Sequence, residues 1–263
     1  MDYKKMMDMT GKVCIVTGGT GYLGSENVKA LKDFGATVVV ADIRAAEERW
    51  ANAPQSVGDL FVECDVSKSE SIRACFQKVF DTYGHLDVLV NCASYGAGYG
   101  AGSQLEFMDD ATFEKGVDGS LGVVFRGIRE AVPFMRKSGG GSIINYCSMY
   151  GIVSPDLRIY GDNPQKQPPN YGAGKAGVRQ ITRYAAGALA EYGIRVNCVT
   201  PGPFPNPRNQ NDEAFNQQLA NKTMLGRFGR NYEMAGAVLL LASDASSFMT
   251  GSNITVDGGW TSW

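Results

Sequence analysis

Short β-branched runs alternate with longer stretches of helical periodicity along almost the whole chain, and this alternation limits the possible folds more than any other feature. The runs lie at residues 12–17 (KVCIVT), 37–42 (TVVVAD), 60–64 (LFVEC), 86–91 (LDVLVN), 142–146 (SIINY), 195–200 (RVNCVT) and 253–257 (NITVD). Between them the spacing predicts helices ending at Phe34, at Trp50, at Tyr83 and near Lys137, then from about Asn170 to Tyr192 and over residues 233–241. Apolar strands separated by helices are buried on both faces, which means an α/β fold with a parallel, doubly wound sheet of seven strands in three layers. No linker, repeat or low-complexity tract breaks the order, so the 263 residues are read as one domain. Residues 1–10 form an N-terminal extension. Residues 154–169 and 201–222, rich in Pro, Asn, Asp and Gln, carry no clear periodicity and are read as functional loops beside a substrate.

Composition removes several classes of chemistry. The net charge of −2 gives no electrostatic reason to expect nucleic acid or an anionic membrane as partner. No apolar run is long enough to span a bilayer, and the polar, Met-rich start lacks the core of a signal peptide, so a cytoplasmic location is expected. The six cysteines stand singly, without a CxxC pair, so neither a metal site nor a disulfide framework is expected. The single histidine, His85, lies in the turn YGHLD and is read as a solvated residue. An acid–base catalyst must then be Tyr, Lys or a carboxylate.

The first strand runs into Thr17-Gly18-Gly19-Thr20-Gly21-Tyr22-Leu23-Gly24, which contains the spacing Gly19-x-Gly21-x-x-Gly24 and opens a helix. Glycines there let the turn tighten and let the backbone approach a pyrophosphate, whose charge meets the positive end of the helix. Asp42, with Ile43 beside it, ends the second strand, where a carboxylate can accept from both adenosine ribose hydroxyls and repel a 2′-phosphate. The expected cofactor is therefore NAD, although Arg44 is close. Asp65 and Val66 end the third strand and suit the adenine, while Asn91 and Ala93 end the fourth at the edge where such sheets bind ligands. Tyr171 and Lys175 are four residues apart on one helix, so phenol and ammonium share a face. A cation beside a phenol favours phenolate, and lowering its pKa by ~3 units takes about 4 kcal/mol.

Taken together, TGGTGYLG at 17–24, Asp42, CDV at 64–66, NCA at 91–93, CSMYG at 147–151, YGAGK at 171–175, RVNCVTPGP at 195–203 and SDASSFMTGSNITVDGG at 243–259 resemble the single-domain short-chain dehydrogenase/reductase superfamily over nearly the whole length. The resemblance implies a Rossmann-type sheet, NAD(P)-dependent hydride transfer, Tyr171 as catalytic acid/base, and Lys175 as a ligand of the nicotinamide ribose. It further implies that Ser148 holds the reacting oxygen, that Pro201 and Gly202 border the nicotinamide, and that the protein forms a homotetramer or homodimer.

Three departures stand out. Tyr22 occupies a position where single-domain members usually carry glycine, as in the turn of extended members. Gly119 aligns with the asparagine that often joins the proton relay, leaving water, Asp118 or Ser120 as replacements. The segment between Ser148 and Tyr171 is about ten residues longer than expected. This extension carries Arg158, Tyr160, Asp162, Asn163, Gln165 and Lys166, and Tyr160 is a rival base that lacks a lysine four residues on. With Asn206, Arg208, Asn209, Gln210 and the loop at 94–103, it suggests a polyhydroxylated or anionic alcohol or ketone as substrate. The tail DGGWTSW and the extension resemble dehydrogenases of sugars and sugar acids, with Trp260 and Trp263 expected to pack. An NAD-retaining epimerase or dehydratase, and a silent dinucleotide sensor, are the alternative readings.

Overall fold

All seven apolar runs form strands of a single parallel sheet in the order β3-β2-β1-β4-β5-β6-β7, so the predicted α/β, Rossmann-type architecture is observed. The computed structural model describes residues 2–44, 58–98, 100–163, 166–206 and 212–263. The strands are β1 (Val13–Thr17), β2 (Thr37–Asp42), β3 (Leu60–Glu63), β4 (Val88–Asn91), β5 (Gly141–Tyr146), β6 (Ile194–Pro201) and β7 (Asn253–Val256). Among the described residues the α-helices are α1 (Gly24–Asp33), α2 (Ser69–Tyr83), α3 (Asp110–Val117), α4 (Val123–Lys137), α5 (Pro169–Leu189), α6 (Glu213–Asn221) and α7 (Ala235–Ala242). The helix expected to end at Trp50 lies outside the described residues.

The two faces follow from the period-two alternation of the strands. Ile15, Val39, Leu89, Ile143 and Val196 point to one side, where they meet Phe76 of α2, Ile128 and Met135 of α4, and Val178 of α5. Cys14, Val16, Val38, Val40, Val90 and Ile144 point to the other, against Val28 and Leu31 of α1 and Val238 and Leu241 of α7. Each large aliphatic side chain so buried contributes roughly 1.5–3 kcal/mol. The extension at 1–10 is tied to this second layer: Met9 is fully buried and its N–H donates to the Phe34 carbonyl at 2.8 Å.

Three expectations change. The long helix ending near Lys137 is divided into α3 and α4 by a π-helical turn, Asp118–Gly122. The segment at 201–222 contains α6, whose N-terminus is capped by Asp212 accepting from the Phe215 N–H at 2.9 Å. The extension at 154–169 contains a 3-10 turn, Leu157–Tyr160. Both latter segments are too short and too polar to show periodicity on their own.

Because β1 and β4 are neighbours while their crossovers run to opposite sides, a crevice opens at the carboxyl ends of the strands where the order reverses. The glycine turn fills the floor of that crevice. A Cβ on Gly24 would collide with the Gly18 carbonyl oxygen, so Gly24→Ala must displace the turn. Overpacking of this kind costs about 1–3 kcal/mol. The expected result is a Tm lowered by about 2–4 °C per kcal/mol in thermal unfolding, and an unchanged Tm would contradict the close approach.

Candidate active site

A cavity of about 830 Å³ occupies this crevice. Its lining includes Gly18, Gly21, Tyr22, Leu23 and Gly24 from the glycine turn, Asp42 and Ile43, Asp65 and Val66, and Ala93. It continues past Ser148, Tyr171 and Lys175 to Pro201 and Gly202. These are fifteen of the nineteen residues that the sequence assigned to the site. The other four, Thr17, Gly19, Thr20 and Asn91, do not reach the cavity surface but brace it. The Thr17 hydroxyl accepts from the N–H groups of Cys92 and Ala93 at 3.2 and 3.3 Å. Gly19 packs against Val40, and Thr20 donates its hydroxyl to Asp42 at 2.6 Å. Asn91 is turned into the protein, where its amide donates to Asn145 at 2.9 Å.

At one end of the cavity Asp42 is buried, accepting the Thr20 N–H and hydroxyl on one oxygen and the Ile43 N–H on the other. Arg44 is exposed and does not line the cavity. Asp65 binds the Ser67 hydroxyl at 2.6 Å and Lys68 at 3.2 Å, bonds that hold its carboxyl below the usual range. The cradle fits a dinucleotide: without side chains at Gly18, Gly21 and Gly24 the backbone of the turn and the start of α1 themselves line the cavity, so a pyrophosphate can approach the positive end of that helix.

At the other end α5 brings Tyr171 and Lys175 to one face, with the Lys175 Nζ 5.7 Å from the Tyr171 ring centre. Ser148 caps the Met149–Gly151 turn after β5, its Oγ accepting from the Tyr150 N–H at 3.2 Å, and its side chain lies on the Tyr171 side of the cavity, where it favours the ionised phenol. That proximity depends on Gly151, where a Cβ would stand 2.7 Å from the Lys175 carbonyl carbon. The Lys175 ammonium donates to the Tyr146 carbonyl at 2.8 Å.

In the protein without cofactor, burial sets the direction of the Tyr171 shift, whereas the lowering expected from the sequence includes a bound nicotinamide. Burial raises the phenol above its ordinary value, and the Ser148 hydrogen bond opposes the rise. Burial likewise lowers Lys175. Burial removes both groups from water and so penalises their charged forms, and the ammonium is engaged by the Tyr146 carbonyl.

Of the groups weighed for the relay position, Gly119 lies against the Tyr95 carbonyl oxygen, leaving no room for a side chain. Asp118 turns away to bind Arg126 at 2.8 Å and the Tyr95 hydroxyl. Ser120 faces α5: it is buried, lies 2.6 Å from where a Cβ on Gly174 would be, and its hydroxyl makes no hydrogen bond among the described residues. The π-helical turn produces this rotation, and nothing in the residue pattern announces it.

Around Tyr171 the polar segments separate. Tyr160 and Asn206 line the cavity, as do Tyr95 and Ser94 of the loop at 94–103. Arg158 does not: it is exposed and bound to Asp156 at 2.8 Å. Gln165, Arg208, Asn209, Gln210 and Tyr99 lie outside the described residues. Tyr160 is not placed as a second base, since it packs on Phe215 of α6 with ring centres 5.0 Å apart. Trp260 is buried edge-on against Tyr150, and the Trp263 indole donates to the Lys222 carbonyl at 3.2 Å. Tyr150 and Gln167 also line the cavity and were missed, because a tyrosine next to a serine and one glutamine among many carry no sequence signal. His85 lies on the surface with Nε2 3.0 Å from the Gly11 carbonyl.

Comparison with known proteins agrees with this geometry. A family model described as Enoyl-(Acyl carrier protein) reductase matches residues 23–261. The 3-oxoacyl-(acyl-carrier-protein) reductase of Thermotoga maritima is 34% identical over 259 residues, covering 96% of this chain and 99% of the relative. The cis-4-hydroxycyclohexanecarboxylate dehydrogenase of Sinomonas cyclohexanicum is 34% identical over 254 residues, covering 95% and 96%. A short-chain dehydrogenase structure from Leptospira borgpetersenii with bound NAD+ superposes with a TM-score of 0.86 at 30% identity, over 99% of this chain and 97% of that one. With the sheet order, the dinucleotide cradle and the Ser148–Tyr171–Lys175 cluster in view, these matches show that the chain belongs to the short-chain dehydrogenase/reductase family, oxidoreductases of alcohols and carbonyl compounds that use a nicotinamide dinucleotide.

Proposed function

We propose that this protein is an NAD-dependent dehydrogenase that interconverts a secondary alcohol on a polar molecule with the corresponding ketone. The observation that carries this reading is one cavity lined both by the Asp42 carboxylate and by Ser148, Tyr171 and Lys175, with the Lys175 Nζ 5.7 Å from the Tyr171 ring centre. Asp42 favours NAD, because a 2′-phosphate beside a buried carboxylate would meet repulsion and no arginine of the described lining offsets it. The relative whose name specifies a hydroxyl on a ring supports a ring alcohol as substrate.

Bound nicotinamide would supply the hydride acceptor and, when oxidised, a positive charge beside Tyr171. The chain's own residues handle the proton. Ser148 holds the alcohol oxygen against Tyr171, whose phenolate takes the hydroxyl proton as the C–H bond breaks. Removal of that proton by Tyr171 would leave the ketone as the carbinol hydride passes to the acceptor that a bound nicotinamide would supply. Lys175, anchored on the Tyr146 carbonyl, orients the ribose and adds positive charge to the phenol's surroundings. Pro201 and Gly202 complete the lining at the end of β6.

Oxidation needs the phenolate, so its rate should rise with pH up to the phenol's pKa in the loaded enzyme and then level off. The Ser148 hydrogen bond lowers that pKa. Ser148→Ala should therefore move the profile of kcat for oxidation to higher pH, with a rate loss of about 10²-fold at neutral pH. An unshifted profile would remove Ser148 from the proton path. The reading as a whole is tested by incubating the protein with NAD+ and secondary alcohols: NADH and ketone should appear in equal amounts. Turnover without NADH release would instead indicate an epimerase or dehydratase.

We also infer a homo-oligomer and a single-domain organisation. The support is the exposure of the large aromatics Phe113, Phe125 and Tyr184 on α3, α4 and α5, and one sheet to which all seven strands belong.

A further inference from the structure

Two segments that line the cavity are tied together by one side chain that takes no part in the proton transfer. Arg126 of α4 donates its Nε–H to the Val66 carbonyl at 3.0 Å, just beyond the end of β3. Its Nη1 and Nη2 groups bind the two carboxylate oxygens of Asp118 at 2.8 and 2.9 Å, and Nη2 also donates to the Tyr95 hydroxyl at 3.2 Å. The Tyr95 hydroxyl in turn donates to Asp118, and the Tyr95 N–H donates to the Gly119 carbonyl at 3.2 Å. Val66 and Tyr95 both line the cavity, whereas Arg126 does not. One guanidinium thus fixes the segment after β3 and the segment after β4 relative to each other.

The chain makes specific room for this group. Asp118 and Arg126 are eight residues apart, which in an unbroken α-helix, at about 100° per residue, leaves two side chains roughly 80° out of line. The extra residue of the π-helical turn at Asp118–Gly122 takes up that rotation, so the two side chains meet. Gly122 lies against the pair: a Cβ there would collide with Asp118 Oδ1 and stand 3.2 Å from Arg126 Nη1. The Arg126 side chain is only 14% exposed, and a bidentate fork on a carboxylate is fixed in direction as well as strong. The guanidinium holds the Asp118 carboxyl below the usual carboxylate range. Burial and that carboxylate push the Tyr95 phenol up to about 12, so it stays a donor at neutral pH.

We propose that Arg126 is a positioning residue for the dinucleotide, holding Val66 and Tyr95 in the arrangement that receives its adenosine half. The Cys64 N–H donates to the Asp42 carbonyl at 2.9 Å, so the segment that Arg126 holds begins beside the carboxylate assigned to the ribose. The inference rests on the NAD-dependent reading above and adds to it the residue that sets the shape of that half of the site. Arg126 acts through Val66 and Tyr95, so its loss should weaken NAD+ and its adenosine half by the same factor.

The test is calorimetric titration of the cofactor-free protein with NAD+ and with ADP-ribose, which carries the adenosine half without nicotinamide. Arg126→Ala should weaken both by about tenfold. Arg126→Lys keeps a charge beside Asp118 but cannot reach three acceptors in one fork, so it should recover only part of the affinity. Gly122→Ala displaces the carboxylate while favouring the helix, so it disturbs the group in a folded protein and should weaken ADP-ribose several-fold. Parent affinity for ADP-ribose in Arg126→Ala, or in Gly122→Ala if Arg126→Ala does not fold, overturns the proposal. So does a loss of NAD+ affinity well beyond that of ADP-ribose, which would mark a general loosening of the site. A parent protein that binds neither ADP-ribose nor NAD+ overturns the cofactor reading itself.

Discussion

Tyr171→Phe is expected to lower kcat for alcohol oxidation by about 10²–10⁴-fold while NADH still binds within a few-fold of the parent affinity. The substitution removes one oxygen from a side chain whose ring is held by α5 and by the Met149–Gly151 turn, so the fold and the cradle at the other end of the cavity have no reason to change. What disappears is the atom proposed to take the proton. No other residue is set up to replace it: Tyr160 has no lysine four residues on and its hydroxyl lies 3.4 Å from that of Tyr150, and the sole histidine lies on the surface at Gly11. The loss is read by steady-state kinetics, and cofactor binding by quenching of protein fluorescence. Retained turnover would mean that the proton leaves by another route and that the role given to Tyr171 is mistaken.

Asp42→Ala is expected to lower NAD affinity by about 10–100-fold and to raise the relative use of NADP. Two charge-assisted hydrogen bonds to the ribose, at roughly 1.5–3 kcal/mol each before compensation by water, would be lost together with the repulsion of a 2′-phosphate. The structure adds a complication that the sequence does not contain. Asp42 also holds Thr20, through both its N–H and its hydroxyl, so the variant loosens the glycine turn. Thr20→Val separates the two effects: it removes the hydroxyl tie at 2.6 Å but leaves the carboxylate, so the turn should weaken for NAD and NADP alike. A variant at Asp42 whose NAD/NADP ratio equals the parent's would contradict its ribose role.

Much of this was legible from residue pattern because the features are local or periodic. Buried parallel strands must be apolar throughout, so β1 and β2 read as VCIVT and VVVAD without ambiguity. Tyr171 and Lys175 share a helix face by arithmetic. The parts that were not legible depend on how distant segments meet. The π-helical turn at Asp118–Gly122 rotates Ser120 toward α5, where Gly174 admits it, and no spacing rule anticipates one extra residue in a turn. The direction of the Tyr171 shift depends on burial, which the sequence cannot weigh against a neighbouring cation. Arg158 looked like a pocket residue until Asp156, two positions away, was seen to hold it at the surface. Asn91 sits where a ligand contact was expected but spends its amide on Asn145, closing the gap between β4 and β5.

The central claim is direct hydride transfer from a carbinol carbon to NAD+, with Tyr171 taking the proton. The most direct measurement uses a ring alcohol deuterated at its carbinol carbon, with mass spectrometry of the NADH formed. Deuterium should appear in the reduced nicotinamide, the turnover of the deuterated alcohol should be slowed, and Tyr171→Phe should yield no labelled NADH above background. Deuterium lost to water, or NADH formed without label, would contradict the account.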